Sequence, residues 1–280
     1  FGFEMPTVIR YGIGTIKQLP EELFSAECRR VLIISEPAVS SLSFFRNILD
    51  SLEEKGLKTK LYSNVEANPK DIHAAQSAEA AGQINADCIV AIGGGSPIDC
   101  AKAASVLAAQ GGKAQDYEGG QNITCAPLPL YTVPTTAGTG SEITFSSVIT
   151  DSKRKRKFTI KSPRIAPKVS FIDPELTLSM PPGLTAATGL DALTHAVEAY
   201  TAKNAEPISD AAALYAIELI AEHVLPAVRD GSDIQARAGM LLGSLLAGIA
   251  FSHADVASVH CLAEALGGLY DAPHGVCNAL

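Results

Sequence analysis

The run Cys88-Ile89-Val90-Ala91-Ile92 is wholly apolar and ends directly in Gly93-Gly94-Gly95-Ser96-Pro97. This junction constrains the fold more than any other stretch of the chain. An apolar run without polar alternation suits a strand buried on both faces, as in a parallel sheet flanked by helices. Glycines at its end let the backbone approach a ligand closely. Ser96 suits the N-cap of the next helix and Pro97 its first turn. The helix start then offers free N–H groups and partial positive charge to a phosphate. A simple strand-to-helix turn rarely needs three glycines, so the junction reads as a phosphate loop. It is not G-x-G-x-x-G, so it does not by itself name a dinucleotide.

Further short apolar runs stand at 31–34, 130–133 and 169–172, with helical stretches at 71–86 and 97–109. Strands alternating with helices predict a parallel sheet covered on both faces. Residues 142–150 and 157–160, joined through 151–153, predict a β-hairpin attached to that sheet. Pro181-Pro182-Gly183 then marks a change of texture. The segments 184–200, 207–228, 233–252 and 256–269 carry apolar residues at three-to-four spacing, and no convincing strand follows. The expected division is an α/β domain over 1–178 and an all-α domain over 179–280.

Composition excludes several classes. The chain is 47% hydrophobic and 19% charged, enough apolar material for a packed interior. Its net charge of −8 leaves no basic stripe beyond Lys153-Arg154-Lys155-Arg156-Lys157, against a nucleic-acid partner. No apolar run reaches the roughly 18 residues that a membrane span needs. With no secretory signal at Phe1, the expected location is cytoplasmic, without a membrane partner. The six scattered cysteines accordingly read as buried or free thiols in a reducing compartment. The apolar pattern is still running at Leu280, which reads as a fragment.

Three further groups carry chemistry. The small, hydroxyl-rich stretch Val133-Pro134-Thr135-Thr136-Ala137-Gly138-Thr139-Gly140-Ser141-Glu142 follows a strand. It either caps a turn or, at the same sheet edge as the glycines, hydrogen-bonds phosphate, ribose or nicotinamide amide. Glu36 follows the strand 31–34, where a carboxylate can bind ribose hydroxyls and repel a 2′-phosphate; a solvated loop carboxylate is the plain alternative. Asp191 and His195 are four apart, hence on one helix face, and His260 and His274 lie further on. One carboxylate and three imidazoles suit Zn²⁺ or Fe²⁺ and exclude a thiolate site. His73, His223 and His253 lack such company and read as surface or packing residues.

These stretches together resemble the iron-containing (group III) alcohol dehydrogenases. The resemblance runs through Gly93-Gly94-Gly95-Ser96 with Asp99 and Lys102, the 134–142 loop, and Phe171-Ile172-Asp173-Pro174. It continues through Gly189-Leu190-Asp191-Ala192-Leu193-Thr194-His195-Ala196-Val197-Glu198 and Pro273-His274-Gly275-Val276. It implies a Rossmann-like parallel sheet with an added β-hairpin in the α/β domain, an all-α domain after it, and further helices beyond Leu280. By the same resemblance Asp191, His195, His260 and His274 are metal ligands. Gly94, Gly95, Ser96, Asp99, Thr135, Thr136, Thr139 and Lys157 line the cofactor, with Asn68 and Ser146, and Glu36 favours NAD over NADP. Glu264 departs from the pattern, standing where many members carry a further active-site histidine; it is a candidate catalytic residue bearing on proton relay and substrate preference.

The implied activity is reversible hydride transfer between an alcohol and its aldehyde or ketone, using NAD and Fe²⁺ or Zn²⁺, in a homodimer or larger homo-oligomer. A glycerol- or polyol-type dehydrogenase, or a dehydroquinate-synthase-like lyase, would share the architecture. A phosphorylated substrate would call for basic residues near the metal, and the helical half has few: Lys203, Arg229 and Arg237. A cofactor-binding structural protein without turnover is the non-enzyme alternative.

Overall fold

The computed structural model describes residues 1–280. They sort into two compact units, each built from separate stretches of chain. Pro6–Pro134 and Phe145–Asp173 form the sheet unit. Its strands are β1 Val8–Tyr11, β2 Arg30–Ile34, β3 Lys58–Tyr62, β4 Cys88–Gly93, β5 Leu130–Pro134, β6 Ser146–Asp151, β7 Arg156–Lys161 and β8 Val169–Ile172. Its helices are α1 Leu19–Ser25, α2 Pro37–Ser40, α3 Ser43–Glu54, α4 Asp71–Ile84 and α5 Gly95–Gln110.

Six strands form one parallel sheet in the order β1-β8-β5-β4-β2-β3, while β6 and β7 pair antiparallel by themselves. The four inner strands are the apolar runs of the sequence, and every residue of β4 is buried. The edges β1 and β3 read Val-Ile-Arg-Tyr and Lys-Thr-Lys-Leu-Tyr, half-exposed and interrupted by charge, so no apolar run announces them. From β2 the chain proceeds to β3 on one side, and from β4 to β5 on the other. The carboxyl ends of β2 and β4 therefore flank the point where strand order reverses, which is where doubly wound sheets take their ligands.

The hairpin β6–β7 is fastened to α5 rather than continuing the large sheet. Fully buried Lys102 donates from Nζ to the Ser146 carbonyl at 2.6 Å. Ser147 Oγ donates to the Asp99 carbonyl at 2.7 Å, and Asp99 Oδ2 accepts from Val148 N at 3.0 Å. One buried turn of α5 thus supplies both charges that anchor the hairpin.

The helical unit comprises Phe1–Met5, Thr135–Thr144 and Pro174–Leu280. Its helices are α6 Pro182–Thr201, α7 Pro207–Arg229, α8 Ile234–Ala254, α9 Ser258–Tyr270 and α10 His274–Ala279. Helices α6, α7 and α8 pack against one another. Asp233 caps α8 by accepting from Gln235 N and Ala236 N, both at 3.0 Å. Arg237, buried inside, donates to the Gly231 and Met180 carbonyls at 2.9 Å and to Thr185 Oγ1 at 2.7 Å, joining the starts of α6 and α8. The loop 135–144 belongs with these helices. Gly140, at φ +59°, meets α8 backbone to backbone, since a Cβ there would lie 2.7 Å from Gly248 Cα.

The expectation about membrane-length segments is corrected here. Helices α7 and α8, with mean hydropathies of 1.5 and 1.4, are both long and apolar enough to cross a membrane. Isolated charges such as Glu218 and Arg237 interrupt any unbroken apolar run but leave the average high. In this unit α8 is a packed core helix with Arg237 enclosed.

Candidate active site

Helix α6 carries Asp191, His195 and Glu198 at i, i+4 and i+7, along one face, and all three are buried. Helix α9 contributes buried His260 from its first turn, and α10 begins at His274. One donor atom from each of Asp191, His195, His260 and His274 lies within 4.8 Å of all the others. Asp191 Oδ1 is 3.8 Å from Nε2 of His260 and from Nε2 of His274. The His195 and His260 rings lie 4.2 Å apart between centroids, and Phe251 stacks on His195 at 4.3 Å. Burial, with the neighbouring His260, pushes the His195 imidazole well below the ordinary histidine range, so it is neutral at pH 7 and keeps a lone pair.

His195 Nδ1 and His260 Nε2 are buried without a hydrogen-bond partner. Such orphaned groups cost on the order of 1–3 kcal/mol each, which a cation at this point would relieve. A carboxylate with three imidazole nitrogens is a donor set that Zn²⁺ or Fe²⁺ accepts, so the residues present fit a divalent cation. Asn278 Nδ2 donates to Asp191 Oδ1 at 2.5 Å and lies 3.1 Å from His274 Nε2, bridging two of the groups a cation would join.

Glu198 stands just behind this cluster. Its Oε2 lies 2.5 Å from His260 Nδ1, and its Oε1 accepts from Val259 N at 2.8 Å. Burial works to raise this carboxyl, but the amides of Ala257 and Val259 and the His260 ring bring it below its ordinary value. Glu264, a turn beyond His260, is half-buried and outside the four-residue group. Cys28, Asp87 and Cys88 also lie within 4.8 Å of one another. There, however, Asp87 already accepts from Arg29 N and Arg30 N at 3.0 Å.

In the sheet unit, α5 begins at Gly95 with Gly94 as its N-cap. This corrects the expected cap at Ser96, which is the second helical residue. A residue without a side chain can cap through its backbone alone, leaving the first helical N–H groups open. Gly93 has φ +150°, and a Cβ on it would lie 2.7 Å from Pro97 Cγ, so the turn admits only glycine. Glu36 Oε1 accepts from Gly94 N at 3.2 Å, and burial pushes its carboxyl up, opposed by that amide. Glu36 is therefore part of the loop and not a solvated carboxylate.

The remaining sequence candidates divide between the units. Asn68, buried at φ +50°, precedes α4. Asp99 faces the hairpin, Ser146 opens β6, and half-buried Lys157 sits opposite Thr150 on β7. Thr135, Thr136 and Thr139 lie in the helical unit. Thr135 Oγ1 is buried without a partner, and Thr139 Oγ1 accepts from Ser141 N at 3.3 Å. The other histidines are packing residues: His73 accepts from Lys70 N through Nδ1, and His253 stacks on Phe3.

Residues 6–174 match the family model of the iron-containing alcohol dehydrogenases, and 185–280 match the model of the C-terminal part of the same family. The chain belongs to the iron-containing alcohol dehydrogenase family. It is similar to the 1,3-propanediol dehydrogenase of Citrobacter freundii, at 42% identity over all of this chain and 73% of that protein. It is likewise 42% identical to the choline dehydrogenase of Bacillus subtilis (strain 168), over 99% of this chain and 70% of that one. Among solved structures, a 1,3-propanediol oxidoreductase superposes with a TM-score of 0.96 at 42% identity, covering 99% of this chain and 73% of that chain. A sulfoacetaldehyde reductase from Bifidobacterium kashiwanohense in complex with NAD⁺ gives 0.93 at 30% identity, over 99% and 74%. As a member of this family the protein is an alcohol dehydrogenase, an oxidoreductase that transfers a hydride between an alcohol and a nicotinamide cofactor.

Sequence reasoning missed Glu198, Phe251 and Asn278 as neighbours of this cluster in the alcohol dehydrogenase. The signal for Glu198 was its i+3 spacing from His195 in an alanine-rich helix, where a carboxylate is seldom buried unless paired. Phe251 and Asn278 leave no comparable local trace.

Proposed function

We propose that the enzyme oxidises small alcohols, or reduces the matching aldehydes, using NAD in preference to NADP and one divalent cation, Fe²⁺ or Zn²⁺. The single observation that carries this is the convergence of Asp191, His195, His260 and His274 on one point, with His195 Nδ1 and His260 Nε2 buried there without a hydrogen-bond partner. A cation held there supplies Lewis-acid polarisation of the substrate oxygen. The chain's own share is to hold the four donors in fixed array, with Phe251 against His195 and the Asn278 amide against Asp191.

In the sheet unit the open N–H groups at the start of α5 bind the cofactor's phosphates. Glu36, fixed beside Gly94, accepts from ribose hydroxyls and disfavours a 2′-phosphate. Asn68, Asp99, Ser146, Lys157, Thr135, Thr136 and Thr139 complete the cofactor set under this reading, Asp99 by holding the hairpin in register. Residues 1–178 then serve the dinucleotide and 179–280 the metal, with loop 135–144 structurally part of the latter. A substrate with a second polar group is favoured, supported by the two 42% relatives named for 1,3-propanediol and choline; Glu264 is the candidate that reads it. Arg237 is enclosed by protein acceptors, which disfavours a phosphorylated substrate. A cytoplasmic homo-oligomer completes the proposal.

The test is a screen of alcohols and aldehydes, followed by NADH absorbance, on metal-free protein reconstituted in parallel with Fe²⁺ and with Zn²⁺. Turnover that depends on added metal, and favours NAD, is the expected result. Equal turnover after exhaustive chelation would defeat the metal reading.

A further inference from the structure

An imidazole has two nitrogens, and the one that bears hydrogen in the neutral ring cannot donate a lone pair. Which one does so is decided by the hydrogen bond the other makes. For His260 the decision lies with Glu198. Nδ1 is 2.5 Å from Glu198 Oε2, and an ionised carboxylate has no hydrogen to give, so Nδ1 must carry it. Nε2 is then left with its lone pair, 3.8 Å from Asp191 Oδ1 and without a hydrogen-bond partner. The second oxygen of the same carboxylate accepts from Val259 N at 2.8 Å. Helix α9 has no side-chain cap at its N-cap residue, Ala257, so this reach from α6 also anchors its first turn.

We propose that Glu198 is the positioning residue of the metal group: it fixes His260 as the Nδ1–H tautomer and aims Nε2 at the point shared with Asp191, His195 and His274. The proposal rests on the metal reading above for its purpose, though not for its geometry. Partners of this kind hold ligating histidines in other metal sites, and losing one weakens metal binding by about 10–100-fold.

The substitution Glu198→Gln is discriminating because the neighbours of the carboxylate, the His260 ring and the amides of Ala257 and Val259, are all donors, and an amide offers only one oxygen as acceptor. With its oxygen toward Val259 N, the amide NH₂ faces His260 Nδ1 and favours the Nε2–H tautomer. With its oxygen toward His260, the NH₂ opposes Val259 N–H. Side-chain volume is unchanged in either case.

The test uses the whole chain. Long-range ¹H–¹⁵N correlation on the metal-free protein, assigned with His260→Ala, reads the His260 tautomer in wild type and in E198Q. Competition against a chromophoric chelator measures Zn²⁺ affinity in wild type, E198Q and His195→Ala, and circular dichroism checks that each is folded. The expected results are Nδ1–H in wild type, a shift toward Nε2–H in E198Q, and Zn²⁺ binding weaker by about 10–100-fold. An Nε2–H ring in the wild-type protein overturns the proposal, even if E198Q does not fold. Wild-type Zn²⁺ affinity in folded E198Q overturns it as well. Undiminished Zn²⁺ binding in His195→Ala defeats the metal reading instead, and the tautomer measured without metal then still decides the role of Glu198.

Discussion

Under the proposed function the glycine loop after β4 and the histidine cluster of α6, α9 and α10 are both sites for charge, built from opposite materials. The loop offers backbone: Gly93, Gly94 and Gly95 have no side chains, and Glu36 reaches one of their N–H groups. The cluster offers side-chain atoms brought from three helices, with Asp191, His195 and His260 buried and His274 half-buried. A backbone site loses a donor only to proline, but it fails when bulk is added. A side-chain site tolerates small shifts in bulk and fails when one atom is removed. The sheet-unit site is thus defined by what must be absent, and the helical-unit site by what must be present.

The sharpest way to break this comparison is His260→Ala. Metal content, measured by elemental analysis, should fall from near one per chain to near none, and turnover should drop by several kcal/mol of transition-state stabilisation. Unchanged metal would remove the helical site from the comparison altogether. Adding bulk to the loop comes next. Gly93→Val forces a β-branched residue to φ +150° against Pro97 and should cost on the order of 1–3 kcal/mol, read as a lower Tm. NAD affinity should weaken while metal content stays intact; a loss of metal in this variant would mean the two sites are not independent.

Smaller effects attach to Glu36, the side chain that reaches the backbone site. Glu36→Gly should raise the NADP-to-NAD ratio of kcat/KM by about tenfold, on the order of 1 kcal/mol for a partly screened charge. The same carboxyl gives a pH dependence. Its value is raised in the folded protein, so the protonated form is favoured by folding. That advantage is complete below the unfolded carboxyl value and disappears as pH rises through the folded one. Urea titrations of Glu36→Gln should therefore lose less stability between acidic and neutral pH than wild type does. The smallest effect is expected at Glu264, outside the cluster. Glu264→His and Glu264→Gln should shift relative kcat/KM among ethanol, butanol and a diol without changing metal content; an unaltered ranking would make it a bystander.

What the sequence disclosed follows from how local each feature is. Central strands β2, β4, β5 and β8 are mostly apolar because both their faces are covered, whereas β1 and β3, at the edges, carry Arg10, Lys58 and Lys60 and blend into their surroundings. Asp191 and His195 stand out because four residues make one helical turn. The hydrogen bond of Glu198 to His260 spans 62 residues, and that of Asn278 to Asp191 spans 87; no window of sequence contains both ends. The Ser96 cap was misplaced by two residues because a glycine cap leaves no side-chain mark. Loop 135–144 reads as the continuation of β5, yet its glycines are matched to Gly248 and Thr188 in the helical unit.

That last match bears on how this protein can be taken apart. The chain passes between its two units after residues 5, 134, 144 and 173, so no single cut frees the helices. Severed at 178, the natural choice by texture, the remainder would expose Gly248 where Gly140 now abuts it. A gene fragment for the helical half has to be made as a graft, with 135–144 spliced ahead of 174. Exchange of that half between relatives by a single crossover would likewise mate one parent's loop to the other's helix, at a contact with no room for a methyl group.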